Sequence, residues 1–324
     1  MFSRYLLTGA TGFLGNRIAW MLHEQGHYCT CLVLENDPYI KYLPPTVKLV
    51  YGDVTNVDSL RRFFIYSNEN TCLIHCAGII SISSKYDPRV YEVNVEGTKN
   101  VLYEAKHFNV KRIIYVSSIH AIPDIKKPLA ISEIDEFDEK LVKGNYAKSK
   151  AIATKIALQY AKEGLNLSVV QPSGIIGPND FRFGSITQTI DAYCKGKLRV
   201  ASKGGNNFVD VRDVARGILD CAIKGKSGEC YLLTGHSSSI KNILDIAKKY
   251  IHGRKVIYLP LWITRTIAPI YERLTRKRKN LTLTPYTAYV LSLNSNYSFN
   301  KAKYAFNYFP RSLEKTIKET VEWL

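Results

Sequence analysis

No run of apolar residues in this chain approaches the ~20 needed to cross a bilayer, so no membrane-spanning helix is expected. The seven cysteines form no CxxC pair and the histidines no cluster, which removes the usual spacings of a structural zinc site. No export signal stands ahead of the first motif. The thiols therefore read as buried and reduced, in a cytoplasmic protein without a structural metal. Low-complexity linkers and internal repeats are missing too, so the chain reads as interleaved lobes of one unit. Acid is in short supply: 28 Asp and Glu face 45 Lys and Arg, a formal net charge of +17. No recognised nucleic-acid motif accompanies that charge, and nucleic acid is not an expected partner. What remains, 324 residues of which 46% are hydrophobic, is enough to bury a large core.

The chain opens on a motif with chemical content. Ser3 to Leu7 suits a buried strand, and helical periodicity starts at Phe13 with Leu14, Ile18, Met21 and Leu22. Between them lies Gly9-x-x-Gly12-x-x-Gly15. The first glycine permits a tight turn, the second lets backbone approach a pyrophosphate, and the third lets helix pack on strand. Phosphates would meet the free N–H groups and the positive end of the helix dipole. A second strand, Tyr28 to Leu34, is followed by Glu35, which can reach ribose hydroxyls and would repel a 2′-phosphate. A solvated turn residue in Glu35-Asn36-Asp37-Pro38 is an equal reading, so NAD is favoured over NADP only slightly.

Strands and helices keep alternating. Val47 to Tyr51 ends in Gly52-Asp53-Val54, where Asp53 can accept from an adenine amino group. Cys72 to Cys76 ends in Ala77-Gly78, small enough for a cofactor to lie against the backbone. A helix from Arg89 to Phe108 contains Asn94, and Arg112 to Val116 leads into Ser117-Ser118. This order predicts a Rossmann-type α/β fold, a doubly wound parallel sheet with ligands outside the carboxyl ends of its strands. Gly9, Asp53, Ala77 and Ser118 fall at those ends. Downstream, Tyr146 and Lys150 stand one helical turn apart. A phenol titrates near ~10 and needs a positive neighbour to act as a base. Lys150 can supply that charge, and Ser118 can hold a substrate oxygen while Tyr146 takes or gives its proton.

Thr8-Gly9-Ala10-Thr11-Gly12-Phe13-Leu14-Gly15, Val116-Ser117-Ser118 and Tyr146-Ala147-Lys148-Ser149-Lys150 resemble the short-chain dehydrogenase/reductase superfamily, extended type, the NAD-dependent epimerase/dehydratase group. Asn94-Val95-Glu96-Gly97-Thr98, Gln171-Pro172-Ser173-Gly174 and Phe208-Val209-Asp210-Val211 extend the likeness along essentially the whole chain. The resemblance implies a nicotinamide cofactor, NAD or NADP, and a homodimer. It implies a catalytic set of Ser118, Tyr146 and Lys150. It also implies a cofactor site that takes in Thr11, Phe13, Leu14, Val54, Gly78, Asn94, Pro172, Ser173 and Gly174 along with the residues above. Nucleotide-sugar enzymes of this group commonly carry an Asn in the segment corresponding to Val170–Pro178, and dehydratases an acidic pair beside the catalytic serine. Here the segment has no Asn before Gly174, and Ile119-His120 follow Ser118. The chain looks nearer the branch of 3β-hydroxysteroid dehydrogenases and dihydroflavonol-4-reductase-like enzymes. His120 is placed in the substrate pocket or, equally, in a polar loop. Two departures stand out: Gln171 where family members often have Arg, and Val33-Leu34 where an acid or Arg is usual.

These observations predict a cofactor region over 1–171 and a substrate lobe over 172–324, with about 207–223 returning to the main sheet. They predict an oxidoreductase for a secondary alcohol or ketone on an apolar, steroid- or flavonoid-like molecule. A nucleotide-sugar epimerase or dehydratase is the enzymatic alternative, and a non-catalytic dinucleotide sensor the alternative of another class. Tyr258, Leu259, Leu261, Trp262, Tyr271, Tyr286 and Tyr289 give the lobe its apolar character. Residues 240–324 hold 16 Lys and Arg against 5 Asp and Glu. Arg273 and Arg276 to Lys279 follow an apolar helical stripe of Ile263, Ile267, Ile270, Tyr271 and Leu274, interrupted by Pro269. Such a helix can lie on an anionic membrane surface or guide an acidic substrate. The favoured reading packs its stripe on the core with a solvated basic turn behind it.

Overall fold

The structure, a computed structural model, describes residues 2–125, 129–251, 255–275 and 283–324. The first half alternates: β1 (Arg4–Thr8), α1 (Phe13–Glu24), β2 (Tyr28–Val33), β3 (Lys48–Tyr51), α2 (Val57–Phe64), β4 (Thr71–His75), α3 (Pro88–Tyr91), α4 (Gly97–His107), β5 (Arg112–Val116), α5 (Asn145–Lys162) and β6 (Leu167–Pro172). The second half adds β7 (Gly174–Ile176), α6 (Ser185–Cys194), β8 (Val200–Ser202), β9 (Gly205–Asp210), α7 (Val211–Lys224), β10 (Cys230–Leu233) and β11 (His236–Ser239). It closes with α8 (Ile240–Ala247), β12 (Ile257–Leu259), α9 (Leu261–Thr275), α10 (Pro285–Val290), α11 (Asn300–Phe306) and α12 (Leu313–Trp323).

Seven strands form one parallel sheet in the order β10-β6-β5-β4-β1-β2-β3. This is the Rossmann-type α/β fold. The central strands β4 and β5 are buried along their whole length, which is why their middles, Cys72-Leu73-Ile74 and Ile113-Ile114-Tyr115-Val116, read as unbroken apolar runs rather than alternating ones. On one face Leu7, Ile74 and Ile114 pack with Ile18 and Leu22 of α1 and with Val214 and Ile218 of α7. On the other, Leu73 and Ile113 pack with Leu60, Val101, Ala151 and Leu158 of α2, α4 and α5. Strand order reverses between β1 and β4, and the crevice at their carboxyl ends is where such sheets take ligands.

The edge beside β6 is filled by β10, with Tyr231 opposite Val170. Strand β9 instead joins a three-stranded sheet, antiparallel to β11 and parallel to β7. From there Asp210 caps α7 through the Arg212 N–H, and α7 turns back onto the main sheet. A third apolar cluster, built on Ile176, Phe208, Ile243, Leu244 and Ile317, lies between the small sheet and helices α8 and α12.

The stripe on α9 is placed differently from the expectation. Its buried residues are Thr264, Ala268 and Thr275, while Ile267, Ile270 and Leu274 are exposed. Short side chains on the buried face let α9 dock against its neighbours, with Ile263 and Tyr271 half-buried and the other large members of the stripe outside. The helix runs through Pro269 without a break, and Glu272 ties it to the loop after β4 by accepting from the Ser84 N–H at 3.0 Å. Arg276 to Lys279 lie outside the described residues.

Candidate functional site

The glycine loop contains two kinds of glycine. Gly9 has φ +73°, and a Cβ there would lie 2.6 Å from the Ala77 nitrogen. A Cβ on Gly15 would fall 2.1 Å from the Gly9 carbonyl oxygen. Backbone contact among β1, β4 and α1 accounts for both. Gly12 is different. It is the N-cap of α1, has no capping side chain, and its Cβ would meet only the Gly9 oxygen, at 3.2 Å. The first N–H groups of α1 are thus left without a side-chain acceptor at a spot bare of side chain, the donor set an anionic pyrophosphate requires. Leu14 is buried in the core and Phe13 half-buried at the helix start.

Glu35 is exposed, and the carboxylate that folds back over the loop is that of Asp37. It accepts from the Thr11 hydroxyl at 2.7 Å and from the Arg182 guanidinium at 2.6 Å. Arg182 also donates to the Thr11 carbonyl at 2.9 Å and lies 4.3 Å from the centre of the Tyr39 ring. Sequence reasoning missed both residues. The signal for Asp37 was its place before Pro38, in a turn where its side chain also accepts from the Tyr39 N–H at 3.0 Å. Arg182 belongs to no motif and arrives from 145 residues away.

Farther along the crevice, Asp53 stands at the end of β3 with Oδ1 accepting from the Thr55 N–H and hydroxyl, both at 2.9 Å. Val54 is buried against Gly97, whose absent Cβ would lie 2.6 Å from it. Ala77 donates its N–H to the Thr8 hydroxyl at 3.2 Å, which pins the end of β4 to β1. Asn94 sits on a π-helical turn, Glu92–Glu96, between α3 and α4. Its side chain accepts from the Ile79 N–H at 2.7 Å, and it donates to the Ile79 carbonyl at 3.0 Å and to Ser149 at 2.9 Å. The wide turn aims an interior amide at the loop carrying Gly78. A Cβ on Gly78 would crowd Asn94 at 3.1 Å and the Lys150 ammonium at 3.4 Å.

Ser118, Tyr146, Lys150 and His120 converge at the carboxyl end of β5. Ser117 is buried and bonded to Thr154 at 2.6 Å, which fixes α5 to the strand and leaves Ser118 as the hydroxyl beside Tyr146. Burial pushes the Tyr146 phenol up to about 12, while the Ser118 hydroxyl draws it down. Lys150 is buried and donates to the Val116 carbonyl at 2.9 Å; burial lowers it to about 8. The His120 ring meets Tyr146 edge-on at 5.8 Å and approaches the Tyr286 hydroxyl at 3.4 Å; burial lowers it to about 4. Gln171 donates to the Ser118 carbonyl at 3.4 Å. Pro172 ends β6 beside it. Ser173 Oγ and Gln171 Oε1 are buried without a hydrogen-bond partner among the described residues. Orphaned polar atoms at this strand end suit a polar ligand in the crevice. Gly174 faces the small sheet, where a Cβ would press on the Asn207 carbonyl at 3.0 Å.

Beside His120, whose ring meets Tyr146, lies a shallow cleft open to solvent. Ile119, Ile122, Val142, Val290 and Leu293 line it with Tyr286, Tyr289 and Tyr297, and His120, Asp124 and Lys143 are its polar members. Tyr286 and Tyr289 of the aromatic set expected in the substrate lobe are there, whereas Trp262 is at the surface.

A family model, the NAD dependent epimerase/dehydratase family, matches residues 5–233. Sterol demethylase protein B of Methylococcus capsulatus is 26% identical over 98% of this chain and 97% of its own length. The mouse (Mus musculus) 3 beta-hydroxysteroid dehydrogenase type 7 is 26% identical over 99% of this chain and 95% of its own. The structure of UDP-glucose 4-epimerase from Thermotoga maritima superimposes with a TM-score of 0.79 at 20% identity, over 99% of this chain and 98% of that one, a likeness of fold alone. Together with the glycine loop and the parallel sheet, these matches place the chain in the NAD-dependent epimerase/dehydratase family, as an oxidoreductase of the extended short-chain dehydrogenase/reductase type.

Proposed function

We propose that this enzyme interconverts a secondary alcohol and a ketone on an apolar, steroid- or flavonoid-like molecule. The observation that carries the reading is the lining of the cleft beside Tyr146, mostly aliphatic and aromatic with one cation, Lys143. Lys143 lies 5.1 Å from the centre of the Tyr289 ring. A nucleotide sugar would need several cations and donors for its diphosphate, and an apolar ring system needs few polar groups. The sterol and steroid relatives point the same way.

In this reading the α1 N-terminus, with Gly12 bare, holds the pyrophosphate, and Asp53, Ala77 and Asn94 border the rest of the dinucleotide. Bound nicotinamide supplies the hydride acceptor or donor. Ser118 orients the substrate oxygen, and Tyr146 takes its proton during oxidation or returns it during reduction. Burial holds Tyr146 protonated near neutral pH, which suits it as the acid for ketone reduction. Oxidation requires its pKa to fall, and Lys150, one helical turn along α5 and charged below about 8, would supply the stabilising cation. Following NADH and NADPH absorbance with hydroxysteroids, flavonoid ketones and UDP-sugars tests the proposal. Turnover of a steroid or flavonoid compound is expected. Epimerisation of a UDP-sugar at unchanged net redox state would overturn it.

A further inference from the structure

Helix α9 presents four of its large apolar side chains to water. Trp262, Ile270 and Leu274 are 70%, 63% and 81% exposed, and with Thr266 they form a single ridge at i, i+4, i+8 and i+12. Ile267, 36% exposed, flanks the ridge. On the opposite face Thr264, Ala268 and Thr275 are buried, so the helix is already docked and the ridge has no place in the core. The patch is not confined to α9. Strand β12, which feeds it, pairs with β8 through Ile257 and Val200, register partners that share a face and are both exposed.

The charges flanking the α9 ridge are mostly cations; Asp245 of α8, near Tyr258 of β12, is paired with Lys241. Arg265 and Arg273 on α9 are exposed, as are Arg199 and Lys203 on either side of β8. The Lys203 N–H donates to the Leu259 carbonyl at 2.9 Å, which sets that residue beside the start of α9. The one acid of the helix, Glu272, is turned into the Ser83–Ser84 loop, where it accepts from both hydroxyls and from a backbone N–H. We infer that this face docks on the surface of an anionic lipid bilayer, with the Trp262–Leu274 ridge in the headgroup–acyl boundary and the surrounding cations on the headgroups. Two copies of a chain with net charge +17 repel one another, whereas an anionic surface attracts each of them. Among the described residues no helix is long and apolar enough to cross a membrane, so the docking inferred is peripheral. The docking stands independently of the substrate.

Cosedimentation of the whole protein with phosphatidylcholine vesicles, with and without phosphatidylglycerol, tests this. Binding to the anionic vesicles is expected, about tenfold weaker on neutral ones and weakened by salt. The triple variant Trp262→Ser, Ile270→Ser, Leu274→Ser should bind anionic vesicles about tenfold less or weaker still, with NAD affinity and thermal unfolding unchanged. Wild-type protein left in the supernatant, or a triple variant that sediments like wild type, would overturn the inference. So would a wild-type dimer that the triple variant converts to monomer, because the face would then belong to a second copy.

Discussion

In the proposed reading, side-chain volume and a dinucleotide compete for one space at Gly12. Its φ of −79° suits any L-residue, so Gly12→Val should fold normally and bind NAD about tenfold less tightly or worse, by calorimetry. Equal affinity in a folded variant would remove the loop from the cofactor site. Tyr146→Phe keeps the ring and removes the proton, so turnover should fall by ~10²–10⁴ while NAD still binds. Lys150 makes a prediction of opposite sign for stability. Its pKa is about 8 in the fold and 10.5 unfolded, so below pH 8 the buried charge costs stability, and the loss is recovered as pH rises through that window. Lys150→Met should therefore gain up to about 3 kcal/mol near neutral pH, less the bond to Val116, and lose turnover. The gain in Tm should shrink above pH 8. Residues of this kind were legible in the sequence because glycine spacing and the Tyr-Lys step are local. Asp37 and Arg182 were not. Two turn residues, Glu35 and Asp37, are chemically alike on paper, and only the path of the loop decides which one meets Thr11.

Elements tell a similar story, with contact at a distance deciding the rest. The strands were legible because each central one holds a short unbroken apolar run, Cys72-Leu73-Ile74 in β4 and Ile113-Ile114-Tyr115-Val116 in β5, and α1 because its apolar residues recur at helical spacing. The π-helical turn around Asn94 was not, since nothing in Val93-Asn94-Val95 marks a wide turn; the bonds to Ile79 and Ser149 belong to the folded packing. Periodicity located the α9 stripe without its direction, because the same spacing serves a face toward the core or away from it. Helix α10 offers a test at this scale. Gly144 has φ +95°, and a Cβ there would lie 2.4 Å from the Tyr286 ring, which closes one side of the cleft. Gly144→Ala should push α10 outward and loosen the N-terminal turn of α5. The expected result is a KM for the apolar substrate raised several-fold, with a smaller change in NAD affinity. An unchanged KM would mean that Tyr286 does not border the substrate.

For the molecule as a whole, acid is the condition that finds its weak point. His75 is fully buried where β1, β4 and α4 meet, bonded to the Thr8 hydroxyl at 2.7 Å and the Thr98 hydroxyl at 3.0 Å. Burial lowers it to about 3, and His120, at the mouth of the cleft, is lowered to about 4. Both pKa values lie below the unfolded value of 6.5, so the unfolded chain binds more protons than the fold between those limits. Their contribution to stability is therefore fully present above pH 6.5 and declines as the pH falls toward 4 and then 3. The two sites together amount to several kcal/mol, comparable with the net stability of a domain. Denaturant unfolding across that range should show a midpoint that drops steadily below pH 6.5. His75→Gln can keep a hydrogen bond to a threonine and has no proton to take up. Its midpoint should start lower at neutral pH, because the fit is poorer, and then vary less steeply with acid than that of the wild type. An equally steep decline in the glutamine variant would assign the acid sensitivity to carboxylates at the surface, since His120 alone supplies only part of the slope.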